Sequence, residues 1–168
     1  LRITQLSEKQ NFDGTLTVNS KNLNSILLLF NHPELSTKLG PTNLSLKFQG
    51  DSENLSLTSS ATVHGTSSNT KVLEVIGEDI FINIQDGSIS VPGLFITSLG
   101  SKTKLSGLVS KMHSSPTGTI QVNTSDFKPT RWLEFFEIDF QSTNNGSLQK
   151  LDATVSAKFS ENSIAVSQ

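Results

Sequence analysis

The sequence predicts a mostly β fold: an antiparallel sheet built from repeated strand–short helix–strand units. Three observations carry this. Apolar and polar residues alternate through most of the chain, the period of a half-buried strand. Alanine, the best helix former, occurs four times, whereas 26 Ser, 17 Thr and 13 Asn make up a third of the 168 residues. Turn dipeptides recur between the alternating runs.

In chain order, Asp13-Gly14 reads as a turn that opens a strand with Leu16 and Val18 on one face and Thr15 and Thr17 on the other. Asn22–Asn31 places Leu23, Ile26, Leu27 and Phe30 at helical spacing, and His32-Pro33 ends that helix. Leu44, Leu46 and Phe48 alternate with Ser45 and Lys47, and Leu55 and Leu57 with Ser56 and Thr58. A loop follows at His64–Asn69. Ile80, Ile82 and Ile84 form a further strand, and Asp86-Gly87 turns it into Ser88–Ile96 as a hairpin. Lys104–Val109 alternates again, and Ser115-Pro116-Thr117-Gly118 turns the chain into Ile120 and Val122. Pro129–Glu137 spaces Trp132, Leu133, Phe135 and Phe136 as a second short helix, with Asp126 in the N-cap region and Pro129 in the first turn. After an Asn144-Asn145-Gly146 loop, Ala153, Val155, Ala157 and Phe159 alternate, and Ile164 and Val166 close the chain. Clean alternation of this kind favours antiparallel pairing.

The order of elements repeats. Gly14-Thr15-Leu16-Thr17-Val18-Asn19-Ser20 matches Gly118-Thr119-Ile120-Gln121-Val122-Asn123-Thr124, and each stretch is followed by one of the two helices. Leu44–Phe48 matches Val155–Phe159 downstream. The chain is therefore read as a single β-rich fragment, 1–168, with two related units at about 12–63 and 116–168 joined by a strand meander at 71–112. It begins at Leu1 and not at Met, which reads as an excised fragment or a processed product.

Composition excludes several functions. Leu, Ile, Val and Phe sum to about 30 % of the chain, above the roughly 20 % below which chains stay disordered. A net charge of −2 and a pI near 5.9 argue against nucleic acid, whose binding needs a basic patch. No apolar run approaches the length of a membrane-spanning helix. Cysteine is absent, so thiol catalysis, disulfides and Cys-ligated zinc are excluded. His32, His64 and His113 lack metal-ligand spacing. Glu78-Asp79 and the group Glu134, Glu137 and Asp139 read as solvated surface charge. No nucleophile elbow or phosphate-binding loop occurs. The expectation is no catalytic residue, no metal, no cofactor and no enzyme activity.

What remains is collective. Nine or ten strands present one apolar face, and two helices of about 15 Å cannot cover it. Either the sheet closes on itself as a sandwich or barrel, or part of the face stays open as a groove. The lining candidates are Leu16, Val18, Leu44, Leu46, Phe48, Leu55, Leu57, Ile120, Val122, Val155 and Phe159. Trp132, Phe135 and Phe136 are suited to capping an apolar cleft.

The run Gly14–Val18, the stretch Asn22–Phe30, the alternating Leu44–Gly50 and Leu55–Thr58, and Lys104-Leu105-Ser106-Gly107-Leu108-Val109 together resemble the AsmA-like proteins of Gram-negative envelopes. Gly118–Phe136 resembles a second copy, differing in Pro129 and Trp132. The resemblance implies a curved sheet with an apolar concave face. It implies a periplasmic location, an inner-membrane anchor absent from this chain, and a role in outer-membrane assembly or phospholipid transport. It carries no catalytic residues. The expected partner is a phospholipid or other acyl-chain lipid. The alternative is a non-enzymatic β-sandwich adhesion or carbohydrate-binding module of a secreted protein. Against it stand the absence of Tyr, a single Trp and the lack of an Asp-rich loop.

Overall fold

Alternating side chains can hide only one face of a strand, so each strand needs neighbours before it needs a core. The computed structural model, which describes residues 2–4, 11–21, 39–66, 71–138, 150–161 and 163–167, meets that need in the simplest order. Ten strands lie side by side in sequence order: β1 (Arg2–Thr4), β2 (Asn11–Ser20), β3 (Leu39–Gly50), β4 (Asn54–Gly65), β5 (Lys71–Asn83), β6 (Ser88–Ser98), β7 (Ser101–Ser110), β8 (Thr117–Phe127), β9 (Leu151–Ser160) and β10 (Ser163–Ser167). Every pairing is antiparallel. One short helix, α1 (Pro129–Phe135), stands between β8 and β9. The fold is therefore mostly β, as expected, and an open antiparallel sheet. The predicted Asn22–Asn31 helix lies outside the described residues, so the repeated strand–helix unit is described in one place only.

The connections sort by end. At one end short turns join β3 to β4 and β5 to β6. Asp51 Oδ1 accepts the backbone N–H groups of Glu53 and Asn54, each at 2.8 Å. At the Asp86-Gly87 turn, Asn83 Oδ1 accepts the Asp86 N–H and Asp86 Oδ1 accepts the Ser88 N–H. This is the expected hairpin, with Gly87 at φ 64°, a conformation that favours glycine. Ile84 falls in that turn and not in β5. The other end carries the connections after β2, β4, β6 and β8, and α1 among them.

Four local readings are corrected. Asp13-Gly14 is not a turn; both residues lie inside β2. Gly14 pairs with Phe48, and a Cβ there would collide with the Phe48 ring. The glycine leaves room for an aromatic ring, a cross-strand device that also shields its bare backbone. The same pairing recurs at Gly118 and Phe159, so Gly118 too lies within a strand. Asp126 is no N-cap. It sits at φ 56° in a bulge of β8, and Lys128 takes the cap position without a side-chain cap bond. The second helix ends at Phe135, short of Glu137.

Bulges also interrupt β5 and β6. Asp79, at φ 52°, marks the first, and Pro92-Gly93 the second. Proline has no N–H to give a ladder, so a bulge is where a strand interior tolerates it.

The β6–β7 hairpin has a two-residue loop, Leu99-Gly100, between the paired Ser98 and Ser101. Both loop residues have positive φ, 47° and 86°, as a turn matching the right-handed strand twist requires. A leucine there is strained, whereas Asn tolerates this region. Leu99→Asn should stabilise the protein by about 1 kcal/mol. Thermal melting should rise by roughly 2–4 °C; an unchanged or lower midpoint would show that Leu99 contributes packing that outweighs its strain.

Candidate functional site

Residues directly paired across strands share a face, so register alone assigns side chains to the two sides of the sheet. One row reads Leu16, Leu46, Ser59, Gly77, Leu94, Leu105, Val122 and Val155, from β2 to β9 without interruption. The rows beside it carry Val18, Leu44, Ala61, Val75 and Ile96 on one side and Phe48, Leu57 and Ile80 on the other. All eleven lining candidates fall on this face: Leu16, Val18, Leu44, Leu46, Phe48, Leu55, Leu57, Ile120, Val122, Val155 and Phe159. No Asp, Glu, Lys or Arg occupies a regularly paired position of it among the described residues. The opposite face carries Asp13, Lys47, Glu74, Lys102, Lys104 and Lys158 among hydroxyl and amide side chains, with Ile76, Phe81, Phe95 and Leu108 as its large apolar residues on the central strands.

The face is large and poorly covered. Nine inter-strand spacings of about 4.8 Å give it a width of roughly 43 Å. Leu16 is 51 % exposed and Val18 43 %, and Leu44, Ile120 and Val155 are also exposed. Leu46, Phe48, Leu55, Leu57, Val122 and Phe159 are half-buried. Only Val63 and Val72 are buried apolar side chains among the described residues. Both lie at the end of the sheet that holds α1, as do the buried Ser98 and Ser101. Among the described residues, the exposed apolar side chains of the face lie on the outer strands β2, β3 and β8–β10, whereas those on β4–β7 are half-buried or buried.

Sequence reasoning missed the central strands as part of the face. Val75, Leu94, Ile96 and Leu105 continue it, and the alternation was there to read. The bulges hid the phase: Ile89 and Val91 share the face with Leu94 and Ile96, a slip of one residue at Pro92-Gly93.

Helix α1 caps the covered end through aromatic contacts. The Trp132 ring lies 6.4 Å from Phe127 and 6.0 Å from Phe136, and Phe136 meets Phe135 edge-on at 5.2 Å. Phe127, paired with Leu151, belongs to the apolar face. Arg131 Nη1 donates to the Leu99 carbonyl at 3.3 Å and ties the helix to the β6–β7 turn.

Polar chemistry is sparse. His64 Nδ1 lies 3.4 Å from the Pro41 carbonyl, His113 is an exposed loop residue, and His32 is outside the described residues. Among the described residues no His, Asp and Glu group has the makings of a metal site, and no helix is long and apolar enough to cross a membrane. Glu78 and Asp79 sit at the β5 bulge, and Glu134 lies exposed on α1. A surface depression of about 600 Å3 between the starts of β2 and β4 is lined by Phe12, Leu55 and Phe81 with Asp13, Gln49 and Asn54. Another, of about 380 Å3, lies where Lys104 reaches over the Phe95 ring at 5.6 Å. Neither assembles catalytic groups. No family model, curated protein or solved structure matches the chain.

One ionic cluster fastens the β8 bulge to β9. Lys150 Nζ contacts Asp126 Oδ1 at 3.0 Å and Asp152 Oδ2 at 3.3 Å, and Asp152 Oδ1 accepts the Asp126 N–H at 2.8 Å. That N–H, then Lys150, hold the Asp152 carboxyl below its ordinary range; Asp126 and Asp152 raise Lys150. A depressed carboxyl stabilises the fold above its unfolded value of about 3.9 and ceases to as pH falls through the folded value. A raised amine stabilises below about 10.4 and ceases to as pH rises through its folded value. Lys150→Met should therefore lower the melting temperature slightly at pH 7, and the deficit should vanish once the pH has fallen through the folded value of the Asp152 carboxyl. A deficit that persists unchanged in acid would mean that the side chain acts by packing.

Proposed function

We propose that the chain is a periplasmic segment of an inner-membrane-anchored envelope protein, engaged in outer-membrane assembly or phospholipid transport, and that it binds acyl chains along the apolar face of its sheet. The observation that carries this reading is the uncharged face that runs across the sheet, with leucine and valine side chains about half exposed on its outer strands. An exposed apolar patch above several hundred Å2 usually marks a binding surface. A flexible hydrocarbon chain suits it, since each CH2 removed from water contributes about 0.8 kcal/mol and asks for no hydrogen-bond partner. The resemblance to AsmA-like proteins points the same way and supplies the envelope setting.

The two related units belong to this reading. Gly14 opposite Phe48 and Gly118 opposite Phe159 fall at matching places, each in a strand pair joined by a long connection at the same end. A repeat of this kind would lengthen the face by adding strands without changing its character. The β-sandwich alternative draws no support from the topology: a sandwich needs two sheets, and the described strands form one.

Leu46→Asp tests the reading. Leu46 sits in the middle of the long row, between Leu16 and Ser59. On an open face the carboxylate reaches water, so the variant should stay folded and melt within a few degrees of wild type. Its affinity for a neutral long-chain probe, read by displacement of a polarity-sensitive dye, should fall roughly ten- to hundredfold. A folded variant that binds as well as wild type would remove Leu46 from the lipid path. An unfolded one would mean that the face is closed as a core.

A further inference from the structure

The covered end of the apolar face holds two buried polar atoms without a hydrogen-bond partner, Ser101 Oγ and Trp132 Nε1. Buried side-chain donors are nearly always satisfied, so two orphans in one region call for an explanation. Ser101 is only 5 % exposed. It begins β7 beside the end of β8, since Lys102 pairs with Ser125, and Phe127 closes that strand. The Trp132 ring packs on Phe127. Arg131, next in sequence to Trp132, bonds to the carbonyl of Leu99, two residues before Ser101. The helix and the β6–β7 turn thus bring an indole N–H, a hydroxyl and a guanidinium to the same corner. Ser98, the other buried hydroxyl there, is already committed to the Val72 carbonyl at 2.8 Å.

Indole nitrogen can only donate, and a guanidinium carries a permanent positive charge. A hydroxyl donates as readily as it accepts. Such a set suits a negatively charged oxygen acceptor: the guanidinium repels a cation, and a purely apolar molecule would leave the donors unpaired. The apolar face starts at the same corner, with Phe127 and Leu151. We infer that this corner is a head-group site: it takes the anionic oxygens of an amphiphile, carboxylate or phosphate, whose acyl chain runs out along the sheet. Trp132 Nε1 and Ser101 Oγ donate to the head, and Arg131 supplies the counter-charge from the exposed side. The inference rests on the acyl-chain reading above and adds to it a direction, with the head at the helix end and the tail towards the short turns.

Trp132 is the one tryptophan in a chain without tyrosine, so its fluorescence reports this corner alone. Wild-type protein is titrated with oleate, with oleoyl lysophosphatidate and with uncharged methyl oleate, and dye displacement reads chain binding in parallel. At least one of the two anions should bind ten times or more tighter than methyl oleate and shift the emission of Trp132. Whichever anion is favoured identifies the head as carboxylate or phosphate. Arg131→Gln should bring that anion to within about twofold of methyl oleate. Ser101→Ala, and Trp132→Phe measured by calorimetry, should weaken the anion several-fold and leave methyl oleate unchanged. Ser101→Ala should not lower the melting temperature of the free protein, because it removes an unpartnered hydroxyl. If the three ligands bind alike, or if the preference survives both Arg131→Gln and Ser101→Ala, the head-group site is wrong while the acyl-chain reading stands. If none of the three binds, the acyl-chain reading itself falls.

Discussion

Backbone hydrogen bonding between strands adjacent in sequence carries this structure, because little else can. The described strands make their extensive contacts with immediate neighbours, and the two buried apolar side chains among the described residues do not make a core for ten strands. Stability in such an arrangement approximates a sum of nearest-neighbour terms, as it does in solenoids. Each inner ladder is long, with strands of 10–13 residues from β2 to β9. The cross-strand pairs on the apolar face, such as Leu16 with Leu46 and Leu94 with Leu105, add side-chain contact without burying either partner fully. Because all pairings are between strands consecutive in sequence, the contacts are local in sequence except across the two long connections after β2 and β8, a topology that favours fast folding for an all-β chain.

The same constraint explains where the chain breaks its own rules. A long flat sheet is unusual, and twist must be relieved somewhere. The bulges at Asp79 and at Pro92-Gly93 lie side by side, since Glu78 pairs with Gly93. A bulge in one central strand is answered by one in the next, which restores the phase of the apolar face on both sides. The bulge at Asp126 has no neighbour to answer it in β9. There the Lys150 cluster and the Asp126 N–H to Asp152 bond replace the missing ladder contacts.

Alternation made most of the strands legible, and with them the eleven lining candidates. Period 2 depends only on which residues can face water, and nothing in a single-layer sheet overrides it. Punctuation was less legible. Gly14 and Gly118 read as turn residues, because sequence alone cannot distinguish a glycine that bends the chain from one that admits a cross-strand Phe ring. Asp126 reads as a helix cap, because the left-handed backbone that bulges β8 leaves the same Asp signature. The Leu99-Gly100 turn lacked the usual Asn or Asp and carried no signal at its first position. Trp132 stood out as an aromatic cap, yet its unpartnered N–H depends on which strands lie beneath it, which no local pattern records.

A single apolar face in water is costly, and a protein can meet that cost by covering the face with its own chain or by leaving it for something else. Here the uncharged rows persist across the whole sheet, and on its outer strands the apolar side chains of those rows are exposed. Were the face merely an unfinished core, larger side chains would be expected to interdigitate from a second layer, and the row would not include Ser59, Gly77 and Ala61. Small residues in the centre let the larger neighbours lean over them: Gly77 is buried, and the side chains of Leu94 and Ile80 close over it. An apolar surface without hydrogen-bonding demands is indifferent to the register of what lies on it. That property is of little use for recognising a protein partner, whose binding depends on fixed anchors in matching pockets. It suits a hydrocarbon chain, the occupant proposed for this face, and in that proposal selectivity falls to the polar corner where the face meets the helix.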